Sequence, residues 1–172
     1  MKLSVEEIKL ARTGDRAAFG RLYESVALDL YRVALYTLGN KEDAEDAVSE
    51  TFVEAYKGIG NLREVERFQP WIFKILSIRC KRRIGGYVRD KGNIDIDDYI
   101  ETGEQGQDGG EGKRAEVTEA LSRLHPEERE LVVLSVLHGY TMREIAEIKD
   151  MPQGTVSSKL HRALKKLKVM LD

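Results

Sequence analysis

Ser157, Ser158, His161, Arg162, Lys165 and Lys166 fall within ten residues near the C-terminus, and no acid interrupts them. Hydroxyl, imidazole, guanidinium and ammonium groups at this spacing can donate hydrogen bonds to base edges and pair with phosphates. A second cationic block lies upstream: Arg67, Lys74, Arg79, Lys81, Arg82, Arg83 and Arg89 occur between 67 and 89, again without an acid. Between 90 and 112 the sign reverses, with eight acids, six glycines and the single base Lys91. The net charge of −2 therefore conceals two basic blocks around an acidic segment, a pattern that suits two separate contacts with a phosphate backbone. Such blocks are also found as plain solvated faces, so the elements that carry them decide the matter.

Catalytic and metal chemistry find no foothold. His125, His138 and His161 have no ligand spacing to one another or to Cys80. The glycines between 103 and 112 lack the order of a phosphate loop and precede no patterned helix. No catalytic residue, metal ligand or cofactor is expected, and the chain reads as a non-enzyme. One cysteine excludes an internal disulfide, and Cys80 reads as a buried thiol. No run approaches the ~20 apolar residues of a membrane span, and the N-terminus has no signal-type apolar run. A cytoplasmic protein with no membrane insertion of its own is expected.

The positioning elements all read as helices. Ser4 and Glu7 have capping-box spacing. After Asp15, residues Phe19, Leu22, Tyr23, Val26, Leu30 and Val33 form an apolar stripe that ends at Gly39. A helix from about 41 to 57 buries Ala44, Val48, Phe52 or Thr51, and Ala55, with Asp43, Asp46, Glu50 and Glu54 together on its opposite face. Another opens near Pro70, buries Trp71, Ile72, Ile75 and Leu76, and stops by Gly85 and Gly86. The acidic, glycine-rich segment reads as a flexible linker, because it offers too little apolar surface to offset the entropy of ordering it. Beyond it, Leu121, Leu124, Leu131, Leu134 and Leu137 mark two helices split at His125 and Pro126. Two more helices join through Met151 and Pro152. Thr141 can cap the first of these, and Ile145, Ala146 and Ile148 supply its contacts. In the second, Val156, Leu160, Ala163 or Leu164, and Leu167 form the buried stripe. That pair has the pattern of a helix-turn-helix, with Ser157, Ser158, His161, Arg162 and Lys165 outward for a major groove and Lys166 and Lys168 further along, nearer phosphates. A plain amphipathic hairpin has the same periodicity; the cation-only second helix favours DNA.

The run from Leu124 to Leu167 resembles the fourth conserved region of bacterial sigma factors, which reads the promoter −35 element. The run from Asp43 to Tyr56 looks like the second region, whose usual form is close to Asp-Ala-Glu-Asp-Leu-Val-Gln-Glu-Thr-Phe. The resemblance covers nearly the whole chain except the acidic segment. There is no room for the third domain of larger sigma factors, which selects the small extracytoplasmic-function group. It implies an all-α protein of two small helical domains joined by a flexible acidic linker, the second domain containing the helix-turn-helix: residues 1–89, 90–112 and 113–172.

The resemblance also implies partners and residue roles: core RNA polymerase, promoter DNA and an anti-sigma factor. Asp46, Ser49 and Glu50 match the positions that bind the polymerase clamp helices. Arg63, Phe68, Trp71, Lys74, Arg79 and Arg82 belong to the part that opens and reads the −10 element, where Arg63 to Phe68 matches the loop receiving a flipped-out base. Trp71 and Phe73 are candidate stacking surfaces, and Trp71 equally suits the core. The acidic segment matches a linker that passes through the polymerase RNA channel. Two positions depart from the family pattern: Ser49 stands where Gln is usual, and Ile78 where many relatives have Asn. Two other functions remain open: a stand-alone helix-turn-helix regulator, expected to bind promoters tightly without polymerase, and a polymerase-binding decoy that reads no DNA. The acidic face of 43–54 argues against the first, and the basic recognition helix against the second.

Overall fold

The computed structural model describes residues 3–90 and 112–172, and every regular element among them is helical. The acidic segment between 91 and 111, read above as a linker, lies outside the described residues. Four helices precede it and four follow. α1 (Val5–Arg12) is capped by the Ser4 hydroxyl, which accepts from the Glu7 amide. The reciprocal half of that capping box is absent because Glu7 instead holds Arg21 at 2.6 Å. α2 (Arg16–Leu38) starts at Asp15, whose carboxylate accepts from the Ala18 amide at 3.0 Å, and stops at Gly39, which takes φ of 69°. α3 (Lys41–Gly58) begins one residue later, with Asn40 accepting from the Asp43 amide.

α2 and α3 approach closely because α3 turns small side chains inward: Ala44, Ala47 and Ala55 are fully buried against Leu22, Val26 and Leu30. α4 (Phe68–Asp90) lies across both and buries Phe68, Ile72, Phe73, Leu76 and Cys80. It does not stop at Gly85 and Gly86. No atom lies within 4 Å of where a Cβ would stand on either glycine, so they weaken the helix by about 1 kcal/mol each without obstructing it.

α5 (Gly112–Ser122) and α6 (Pro126–Val132) are split at His125, as the sequence predicts. α6 widens into a π turn over Val133–Leu137. The wider turn moves later residues out of register with the stripe, so Leu134 is buried while Leu137, expected inside, is 56% exposed. α7 (Met142–Lys149) opens with a complete capping box: the Thr141 hydroxyl accepts from the Glu144 amide, and the Glu144 carboxylate accepts from the Thr141 amide. α8 (Gln153–Leu171) follows Pro152. The buried residues of both halves join into one apolar cluster.

Candidate nucleic-acid interface

α8 is held from beneath by Val156, Leu160, Ala163 and Leu167, all buried. Ala163 rather than Leu164 completes the stripe; Leu164 is 40% exposed. The choice follows from space, since α7 crosses beneath with Ile145 and Ile148 fully buried. The opposite face is open: Ser157, Ser158, His161, Arg162 and Lys165 are all exposed. On a helical wheel of 100° per residue, Lys165 and Ser158 stand directly opposite the buried stripe, flanked by His161 and Arg162. Ser157 and Lys166 lie at the edges. The Lys166 ammonium is 3.0 Å from the Glu128 carboxylate on α6, while Lys159, two turns earlier, pairs with Glu127 at 3.0 Å. Burial alone would raise the Glu127 carboxyl, but the Lys159 ammonium outweighs it and holds the group below the usual carboxylate range. These two pairs brace α8 against α6, so Lys166 is part brace and part surface. The Arg162 Nε donates to the Ser158 carbonyl at 3.4 Å, one turn back along the exposed face.

α4 sorts its cations into two sets. Lys74, Ile78 and Arg82 share one face with the half-buried Trp71, at intervals of three and four. Arg79 and Arg83 point the other way, onto α3. Arg79 pairs with Glu54, its Nε at 2.9 Å; Arg83 reaches Glu50 at 2.6 Å, Asp43 at 3.5 Å and Asp46 at 3.9 Å. The carboxylates of α3 are thus partly neutralised from within the protein. Four carboxylates meet two guanidiniums, so the face stays net negative, and Asp46, Ser49 and Glu50 remain exposed.

Of the residues expected at a −10 contact, Arg63, Lys74 and Arg82 have side chains at or near the surface and Trp71 is half-buried. Phe68 is 1% exposed and packs at 6.0 Å, centroid to centroid, from Trp71; it is a core residue here and presents no face to a base. Arg79, tied to Glu54, is a structural cation in this arrangement. Phe73, also considered for stacking, is 1% exposed.

The comparisons follow this division. The family description Sigma-70 region 2 matches residues 22–92, and Sigma-70, region 4 matches residues 114–167. The RNA polymerase sigma factor SigV of Bacillus subtilis is 30% identical over 145 residues, which take in 83% of this chain and 84% of that protein. The chain belongs to the extracytoplasmic-function group of sigma factors. The ECF RNA polymerase sigma factor BldN of Streptomyces coelicolor is 28% identical over 181 residues; the match takes in 97% of this chain but 65% of BldN, so this sigma factor spans about two thirds of that relative's length. Among solved structures, the sigma factor RpoE in complex with the anti-sigma factor NepR from Bartonella quintana matches the fold with a TM-score of 0.73 at 21% identity, covering 89% of this chain and 96% of that one.

Lys149 escaped the sequence reading. It stands where α7 gives way to the turn, yet its side chain is only 7% exposed and pairs with Glu130, itself 5% exposed. A signal was present. Glu130 and Arg129 occupy positions four residues before Leu134 and Val133, inside the apolar stripe, where a charge must find a partner.

Proposed function

We propose that this sigma factor binds core RNA polymerase and directs it to promoters with a −35 and a −10 element. The exposed face of α8 carries the reading. A helix braced by two salt bridges from α6, packed on a capped partner helix, and showing Ser157, Ser158, His161, Arg162 and Lys165 outward has the shape and donors that major-groove recognition requires. The Lys74, Ile78 and Arg82 face of α4 is assigned to the −10 region, with Trp71 at its edge and Arg63 on the preceding loop. Asp46, Ser49 and Glu50 are assigned to a basic surface of the polymerase. Residues 1–89 and 113–172 act as the two binding domains. An anti-sigma factor is the expected antagonist, as in the complexed relative. The deciding experiment is in vitro transcription with purified core polymerase on a genomic template, sequenced at the 5′ ends. Start sites sharing two upstream elements are expected. A random distribution of ends, or none above core polymerase alone, overturns the reading.

A further inference from the structure

The loop ahead of α4 contains two short 3-10 turns, Ile59–Asn61 and Val65–Arg67, separated by Leu62, Arg63 and Glu64. Ile59 and Val65 are buried and fix the two ends of that span, while Leu62 is half-buried and Arg63 and Glu64 are exposed. Each turn closes on itself. The Leu62 amide donates to the Ile59 carbonyl at 3.1 Å, and the Arg67 amide donates to the Glu64 carbonyl at 3.0 Å. The carbonyls of Leu62 and Arg63 lie between these bonds and belong to neither turn. Both accept from one distant side chain, the Arg12 guanidinium, whose Nη1 is 3.2 Å from each.

Arg12 acts from a fixed base. It is the last residue of α1, where Ile8 and Ala11 are 3% exposed and Glu7 holds Arg21 of α2 at 2.6 Å. Gly14, at φ of 100°, then turns the chain into α2. The loop runs close beside this end of α1: a Cβ on Gly60 would stand 3.8 Å from the Arg12 carbonyl. Among the described residues no carboxylate pairs with Arg12, so its guanidinium is committed to the loop. A cationic donor makes a stronger hydrogen bond to a carbonyl than a neutral one does.

We propose that Arg12 is a positioning residue for −10 recognition, holding the backbone of Leu62 and Arg63 so that the Arg63 side chain meets the promoter in one geometry. The proposal rests on the assignment of this loop to the −10 element above. An extruded base is read through hydrogen bonds to its edge, and those need donors and acceptors at fixed places. A loop ordered in advance loses less freedom on binding, and it cannot shift to suit a wrong base as a loose one can. Backbone carbonyls suit such an anchor, because gripping them leaves the exposed Arg63 side chain available to the promoter. Arg12 acts through Arg63 and needs no DNA contact of its own.

The test uses holoenzyme assembled from the full chain and purified core polymerase. The variants are Arg12→Met, which keeps an apolar stem and removes the donors, Arg12→Lys, Arg63→Ala, and Arg12→Met combined with Arg63→Ala. Open-complex formation is measured on a promoter library substituted at each −10 and −35 position, at two salt concentrations. Arg12→Met is expected to relax preference at one −10 position at least fivefold, with −35 preferences, salt slope and helical content by circular dichroism unchanged. Arg63→Ala should relax the same position. The combined variant should be no worse than Arg63→Ala alone, because the two residues act in series. Arg12→Lys should recover much of the preference, since its ammonium can donate to both carbonyls. A loss uniform across sequences, with the salt slope lowered by about one, makes Arg12 a phosphate contact and overturns the proposal. So do additive losses in the combined variant, and so does an unchanged preference in Arg12→Met while Arg63→Ala relaxes it. If neither Arg12→Met nor Arg63→Ala alters any −10 preference, the assignment of the loop fails and the positioning role falls with it. If Arg12→Met loses helix, Arg12→Gln takes its place and the same outcomes decide.

Discussion

Arg162 and Lys168 stand on the same exposed surface of α8, but they approach DNA differently. Arg162 flanks the centre of the outward face in the helix's middle turns, where a fork of donors can reach base edges. Lys168 comes almost two turns later, where the helix leaves a groove and passes the backbone. Losing a base contact costs roughly 1–3 kcal/mol and relaxes preference at one position; losing a phosphate contact weakens all sequences alike and lowers the salt slope by about one. Arg162→Ala should therefore change which −35 bases are tolerated, whereas Lys168→Ala should not. Holoenzyme binding to a −35 substitution library at two salt concentrations separates them. Uniform loss in both variants would make Arg162 a phosphate contact. At the same scale, Asp46 is the better probe of the polymerase face than Glu50. Glu50 is the chief partner of Arg83 at 2.6 Å, while Asp46 stands 3.9 Å away and is 66% exposed. Reversing Glu50 disturbs the α3–α4 contact as well as the surface. Asp46→Lys should keep the thermal midpoint within a few degrees and weaken core polymerase binding at least tenfold, about 1.4 kcal/mol. Unchanged affinity would move the docking surface elsewhere.

Helices were readable because their signals are local. Caps at Ser4 and Thr141, the start after Asp15, and stops at Gly39 and before Pro152 each satisfy or release backbone groups within a few residues. The outward face of α8 was legible for the same reason: apolar spacing fixes what points in, and the remainder points out. What was not legible depends on neighbours distant in sequence. Phe73 and Trp71 look alike as aromatic stacking candidates, and only the packing of α4 within the fold buries the first and leaves the second half-open. Arg79 and Arg82 sit three residues apart in one basic block, yet Glu54, twenty-five residues upstream, captures Arg79. The π turn at Val133–Leu137 is invisible to a period count. The turn between α7 and α8 holds a further hidden feature: Asp150 takes φ of 52°, the left-handed region, in a position where glycine would be unstrained. Asp tolerates that region better than β-branched residues do. Asp150→Val should lower stability by about 1–2 kcal/mol, whereas Asp150→Gly should change it by well under 1 kcal/mol, since relief of strain offsets added freedom in the unfolded chain. Thermal unfolding of the two variants checks the contrast, and equal effects would mean that the turn relaxes.

At the scale of the whole molecule, the packing of the second half on α2 and α4 buries a titratable group. His138 is packed beside Phe73 and Tyr140, and its buried Nε2 finds no hydrogen-bond partner among the described residues. Burial disfavours the imidazolium; Asp29 on α2 favours it, and Arg32 on the same helix opposes it. The net direction is downward from the ordinary value of 6.5. The Tyr140 phenol, raised by burial and by Asp29 and Glu144, stays neutral throughout. The sign follows by linkage. In the unfolded chain His138 is hydrated and takes up a proton near 6.5; in the folded protein it resists protonation to a lower pH. The folded state is therefore fully favoured above about 6.5 and loses that contribution as pH falls through the window below it. The thermal midpoint should fall as the pH drops from 7.5 to 5.5, and His138→Phe, which keeps an aromatic ring and removes the proton site, should flatten that dependence. A fall in the midpoint that persists unchanged in His138→Phe would trace to other groups, with the Arg67–Glu147 and Lys149–Glu130 pairs the next to examine. A midpoint that ignores pH in both proteins would mean that Asp29 offsets the burial of His138, so that its proton affinity is the same in the folded and the unfolded chain.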